Sequence, residues 1–90
     1  MWKVKYTKRF LKELASLPTE TQSRIESIVF DKLECENPFQ LGYLKKMKGY
    51  PDKYKIRVGN YRIGLSVNKK SKTLLCQRVG HRQEIYKIFP

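Results

Sequence analysis

Histidine and cysteine are almost absent from this 90-residue chain, which holds one and two copies. Cys35 and Cys76 lack CxxC or metal-type spacing. There is no Asp/Glu cluster, no His pair and no HxE set, so zinc and two-metal chemistry lose their usual ligands and no cofactor is expected. Acid is scarce: eight Asp and Glu stand against twenty Lys and Arg, for a formal net charge of +12. No apolar run nears the about 20 residues of a membrane span. No basic amphipathic helix accompanies the charge, which argues against a membrane partner. No signal peptide is recognisable, so a cytoplasmic location with reduced thiols is expected. Cys76 lies in an apolar stretch and reads as a small buried hydrophobe. Repeats, low-complexity segments and linkers are missing, and the length suits a single domain over 1–90.

What is present is uneven. Residues 1–36 carry seven basic and six acidic side chains, whereas residues 37–90 carry thirteen and two. The second part is therefore polycationic, which points to a polyanionic partner, nucleic acid before an acidic protein.

The periodicity predicts a strand over Trp2–Tyr6 and a helix from Lys8 to about Leu17, capped by Thr7 and ended by Pro18. A second helix starts at Thr19, where Thr19 and Gln22 have capping-box spacing. Its apolar stripe is Ile25, Ile28, Val29 and Leu33, and Asn37-Pro38 is the stop. Residues 38–53 show no regular pattern, with Lys45, Lys46, Lys48 and Lys53 read as exposed and Gly49–Asp52 as a turn. A hairpin follows, then a polar loop over 68–72, a strand over Thr73–Val79, and one helical turn near His81–Tyr86. The order β-α-α-β-β-β predicts an α+β fold: an antiparallel sheet with a helical hairpin on one face. The other face is expected to be uncovered, and spacing does not place the first strand in the sheet.

The hairpin is the most informative segment. A two-residue turn at Gly59-Asn60 sets Val58 opposite Tyr61 and Arg57 opposite Arg62. Strand alternation puts Lys55, Arg57 and Arg62 on one face, and Tyr54, Ile56, Val58, Tyr61, Ile63 and Leu65 on the other. Like charges directly across a strand pair are destabilising. An anionic ligand accounts for the arrangement, and phosphate is the anion that clustered Arg and Lys most often meet.

The block Tyr54–Arg62, the later Val79-Gly80-His81-Arg82 and Ile85-Tyr86, together with the element order, resemble the RelE branch of the RelE/ParE toxin superfamily over nearly the whole chain. The resemblance implies a toxin of a type II toxin-antitoxin system that cleaves mRNA in the ribosomal A site and is masked by a cognate acidic, RelB-like antitoxin. It matches Lys55 and Arg57 to basic residues of the second strand, Arg62 to an Arg of the third, Arg82 to an Arg after the last strand, and Tyr86 to a C-terminal Tyr. His81 falls where some members have His and others Lys. The stretch from Gly80 to Tyr86 is shorter than in the best-known branch, and the chain ends soon after Tyr86.

These groups suit metal-free cleavage, in which the RNA 2′-hydroxyl attacks its own phosphorus. Arg57 and Arg62 would grip the phosphate and stabilise the phosphorane. Lys55, crowded by positive charge that favours its neutral form, would serve as base. Tyr86 would position or deprotonate the 2′-hydroxyl, or stack on a base. Arg82 would sit near the leaving oxygen and His81 would act as acid. Lys45, Lys46, Lys48, Lys53, Lys69, Lys70 and Lys72 would dock on ribosomal RNA through phosphate contacts. Plainer readings stand beside these. The basic face could be a solvated surface, His81 a helix cap, Tyr86 a plug with Ile85 and Phe89, and the loop lysines solubilising charge. Two other functions remain open: a ParE-like toxin acting on DNA gyrase, and a basic RNA-binding module without catalysis.

Overall fold

The computed structural model describes residues 1–90. Its elements run β1 (Lys3–Tyr6), α1 (Lys8–Ala15), α2 (Thr19–Ser27), β2 (Leu44–Lys46), β3 (Lys53–Val58), β4 (Tyr61–Asn68), β5 (Thr73–His81) and α3 (Arg82–Ile88). The five strands form one sheet in the order β1-β5-β4-β3-β2. The expected α+β architecture is present, with α1 and α2 on one face. Three features were not foreseen. β1 joins the sheet edge parallel to β5, so the sheet is mixed. A three-residue strand, β2, pairs antiparallel with β3 inside the stretch that showed no pattern. And α3 lies on the face expected to be open.

Local chemistry explains the helix starts. Thr7 Oγ1 accepts from the Phe10 N–H at 3.0 Å and donates to the Gln77 carbonyl at 2.9 Å, so one hydroxyl caps α1 and ties it to β5. The anticipated capping box at Thr19 does not form. Pro18 takes the cap position without a side-chain bond, and Gln22 reaches forward to Glu26 at 3.2 Å instead of back. Beyond Ser27 the helix widens into a π turn over Ile28–Lys32, where the Leu33 N–H bonds to the Ile28 carbonyl at 2.9 Å. The Tyr6 hydroxyl donates to the Val29 carbonyl inside that turn at 2.7 Å.

The core fills the space between the two helices and the sheet. Phe10, Ile25, Val29, Leu33, Ile56, Ile63, Leu65, Leu74 and Cys76 are all fully buried there. Arg78 and Glu13 close its margin with a bidentate pair, Nη2 to Oε2 at 2.7 Å, and Glu13 also accepts from the Val79 N–H at 3.1 Å. That carboxylate holds the Arg78 guanidinium above its usual value through their hydrogen bond, against the opposing effect of burial.

The opposite face carries a smaller apolar contact. Ile85 and Phe89 are buried but stand apart from the main core. Phe89 lies directly on Gly64, and a methyl group there would overlap its ring. Gly64 is the cross-strand partner of Lys55, so the missing side chain at 64 is what lets α3 settle on the charged face.

Candidate functional site: a cationic concavity under the last helix

The hairpin register is the one that the turn length requires: Val58 pairs with Tyr61, Arg57 with Arg62 and Lys55 with Gly64. Gly59 at the turn has φ of 59°, the left-handed region that glycine enters without penalty. β2 extends the same face by one strand, setting Lys45 opposite Lys55. α3 then roofs the row. Ile85 on the helix and Phe89 just past its end are buried against the sheet, while Tyr86 is turned toward Lys55.

The result is a concavity of about 460 Å³ lined by Gly42, Tyr43, Lys45, Lys55, Arg57, Arg62 and Tyr86. Lys55 Nζ donates to the Tyr86 hydroxyl at 3.3 Å and stands 5.3 Å from the centre of its ring. Arg62 Nη1 donates to the carbonyls of Gly59 and Tyr61, both at 2.9 Å. This fixes the guanidinium against the turn and leaves its other donors for a ligand. Burial opposes ionisation of Tyr86, but hydrogen bonds and positive charge from Lys55 and Arg62 outweigh it, and the phenol titrates below the ordinary tyrosine value. No carboxylate lines the concavity. Such an acid-free set of cations suits an anion and eases ionisation of the phenol.

Of the site residues expected from sequence, Lys55, Arg57, Arg62 and Tyr86 come together here, and Lys45 joins them. Arg82 and His81 do not line the concavity. Arg82 begins α3, with its backbone N–H on the Asn60 carbonyl at 2.7 Å and its side chain exposed. His81 caps the same helix: Nδ1 accepts from the Gln83 N–H at 3.2 Å, and the ring meets Tyr61 edge-on. The other lysines are dispersed. Lys46 pairs with Tyr54 and so points to the opposite side of β2. Lys53 is not exposed as expected; it bonds to Ser66 Oγ at 2.7 Å and pairs with Asp52 at 3.5 Å. Lys69 stands over the Phe39 ring, and Lys70 and Lys72 are exposed in the β4–β5 loop. Lys48 is exposed in the turn before β3. Gly42 and Tyr43 are the lining residues that the sequence did not announce, because they precede a strand too short to show alternation.

This geometry has relatives. The family model for the ParE toxin of type II toxin-antitoxin system, parDE, matches residues 4–86. Toxin RelE3 of Methanocaldococcus jannaschii is 45% identical over 98% of this chain and 99% of its own length. The fold is similar to that in the crystal structure of a RelB-RelE antitoxin-toxin complex from Methanococcus jannaschii, with TM-score 0.78 and 39% identity over 96% of this chain and 99% of that one. An archaeal RelE-RelB complex from Pyrococcus horikoshii gives TM-score 0.73 and 32% identity over 90% of this chain and 94% of that one. The chain belongs to the RelE family of the RelE/ParE superfamily and is a toxin of a type II toxin-antitoxin system.

Proposed function

We propose that this toxin is an endoribonuclease that cleaves mRNA in the ribosomal A site, without metal, by attack of the 2′-hydroxyl on the adjacent phosphorus. The observation that carries the reading is the 3.3 Å contact from Lys55 to Tyr86 beside Arg57 and Arg62 in one acid-free concavity. The scissile phosphate would lie between the two guanidiniums, which stabilise the extra negative charge of the phosphorane. From sequence, Lys55 and Tyr86 were both candidates for the base. The geometry favours Tyr86, because Lys55 donates to the phenol oxygen and so supports its deprotonated form. Tyr86 would take the 2′-hydroxyl proton, and Lys55 would hold the phenolate in place. On the leaving side, Arg82 would neutralise charge once RNA is bound. His81 caps α3 through Nδ1, and its Nε2–H would protonate the departing 5′-oxygen.

The remaining exposed lysines, 45, 46, 48, 69, 70 and 72, would contribute salt-sensitive contacts to ribosomal RNA. Free in a cell, such a surface requires masking. The similar toxins crystallised with RelB support a RelB-like antitoxin as partner, and its acidic character would complement the +11 of residues 37–90.

The test is addition of purified protein to programmed ribosomes. Wild type should cut within the A-site codon and leave a 2′,3′-cyclic phosphate, and Arg62→Ala and Arg82→Ala should each slow the cut. Cleavage that neither change affects would exclude this site. The description of the matching family model keeps a second reading alive, a non-nuclease toxin acting on DNA gyrase. Inhibition of supercoiling with mRNA left intact would select it.

A further inference from the structure

A second concavity of about 460 Å³ lies around the corner from the first, between α2 and the end of β3. Its polar lining is Ser23, Arg24, Ser27, Lys32, Tyr43 and Arg57. Tyr43 and Arg57 belong to both concavities. The two are joined because β2 is short. Its pairing stops at Leu44 opposite Ile56, which leaves Arg57 and Val58 on an open sheet edge. A chain can therefore pass from one face of the sheet to the other beside Arg57.

We infer that this second concavity is a binding subsite for the sugar-phosphate backbone of single-stranded RNA, holding nucleotides next to the scissile step. The inference rests on reading the first concavity as an RNA-cleaving site, and it names a part of the substrate path which that reading does not. Three cations line it and no carboxylate does. None of Arg24, Lys32 or Arg57 has an acidic partner; the ion pairs of this protein lie elsewhere. Ser23 and Ser27 stand four residues apart on one side of α2, with Arg24 beside them, so hydroxyls and a guanidinium face the same space. Lys32 reaches the Tyr43 hydroxyl at 3.5 Å, which holds the ring at the junction. Phosphates fit the cations, ribose hydroxyls fit the serines, and a half-buried aromatic ring at the bend offers a stacking surface to an unpaired base. A path that turns around a sheet edge suits a flexible single strand and excludes a stiff duplex.

The probes are 2′-O-methyl oligoribonucleotides of two and six residues, which cannot be cleaved because the attacking oxygen is capped. Binding to the free toxin is read by fluorescence anisotropy over a salt series. Wild type should hold the six-mer more tightly than the dimer. Arg24→Ala/Lys32→Ala should weaken the six-mer roughly tenfold and lower the slope of log K against log salt by about 1.4, which is two single-strand phosphate contacts. The same change should leave the dimer's affinity where it was. Ser27→Glu, which keeps both cations but places a carboxylate among them, should have the same effect. Lys8→Ala/Lys12→Ala removes equal charge from α1 and should preserve the advantage of the longer RNA. A six-mer affinity in Arg24→Ala/Lys32→Ala equal to that of this control would overturn the subsite. So would a double variant that binds RNA normally but loses an acidic antitoxin peptide, since the cleft would then serve a protein. A wild type that binds the six-mer through these residues yet cuts no ribosomal mRNA would sink the nuclease reading and leave the subsite standing.

Discussion

The β3–β4 hairpin has two faces made of alternate residues of one continuous segment, Lys53–Asn68, and they obey different rules. On one, Ile56, Ile63 and Leu65 are completely buried and Tyr54 and Val58 nearly so. On the other, Lys55, Arg57 and Arg62 stand side by side with a glycine between them. The first face is chosen by the cost of exposing hydrocarbon, and only Tyr61 at the turn is less than buried. The second incurs like-charge repulsion across a strand pair, which folding alone does not call for. Burial holds the register, and the register is what brings the charges together.

The widest gap between the faces should appear in activity. Arg62→Ala should lower the rate of ribosomal mRNA cleavage by roughly 10²–10³-fold, as loss of one preorganised donor does elsewhere. The urea midpoint should barely move. Arg62→Lys keeps the charge but not the fork, and a rate near wild type would favour simple binding over catalysis. On the buried face the pattern should invert. Ile63→Ala should cost about 2–5 kcal/mol in urea unfolding, because the cavity has nothing to fill it. Its folded fraction should cleave at the wild-type rate.

Alkali should reach the buried face through its two raised acids. Burial pushes the Cys76 thiol up to about 12. Burial, then the charges of Cys76 and Glu34, push the Tyr6 phenol up to about 12. Both groups favour the folded state while protonated. Their contribution is fully present below pH 9, where the unfolded thiol is still neutral, and is lost as pH rises through 12. For Cys76 the loss is up to about 4 kcal/mol at 1.36 kcal/mol for each unit of pKa. Urea midpoints that stay level from pH 8 to pH 11 would contradict this.

A smaller and more selective disturbance is Gly64→Ala. Its methyl meets the Phe89 ring, and overpacking of that kind costs about 1–3 kcal/mol. Displaced α3 should carry Tyr86 away from Lys55, so cleavage should fall by more than the stability change accounts for. Unchanged cleavage would mean that α3 does not set the position of Tyr86.

Much of this was legible from residue order. The turn length at Gly59-Asn60 set Arg57 against Arg62, because a two-residue loop leaves one register available. Thr7 as a cap and the stripe Ile25, Ile28, Val29 and Leu33 follow from local chemistry. Long-range placement was not legible. Nothing in Trp2–Tyr6 encodes that it lies parallel to β5, since parallel pairing is set by packing across the whole chain. β2 escaped notice because three residues do not display alternation. Whether Tyr86 was a plug or a site residue was undecidable from composition. Helical geometry separates the two: Ile85 is buried against the sheet, whereas Tyr86 lies about 100° from it around the axis and lines the concavity.

Single-turnover cleavage of ribosome-bound mRNA by Tyr86→Phe, run beside wild type, bears most directly on the account. Removing one hydroxyl leaves the ring, the helix and the surrounding charge in place. The predicted result is a rate lower by roughly 10²–10⁴-fold, with the same product ends and an unchanged urea midpoint. A variant that cuts as fast as wild type would show that the phenol held by Lys55 takes no part in the chemistry.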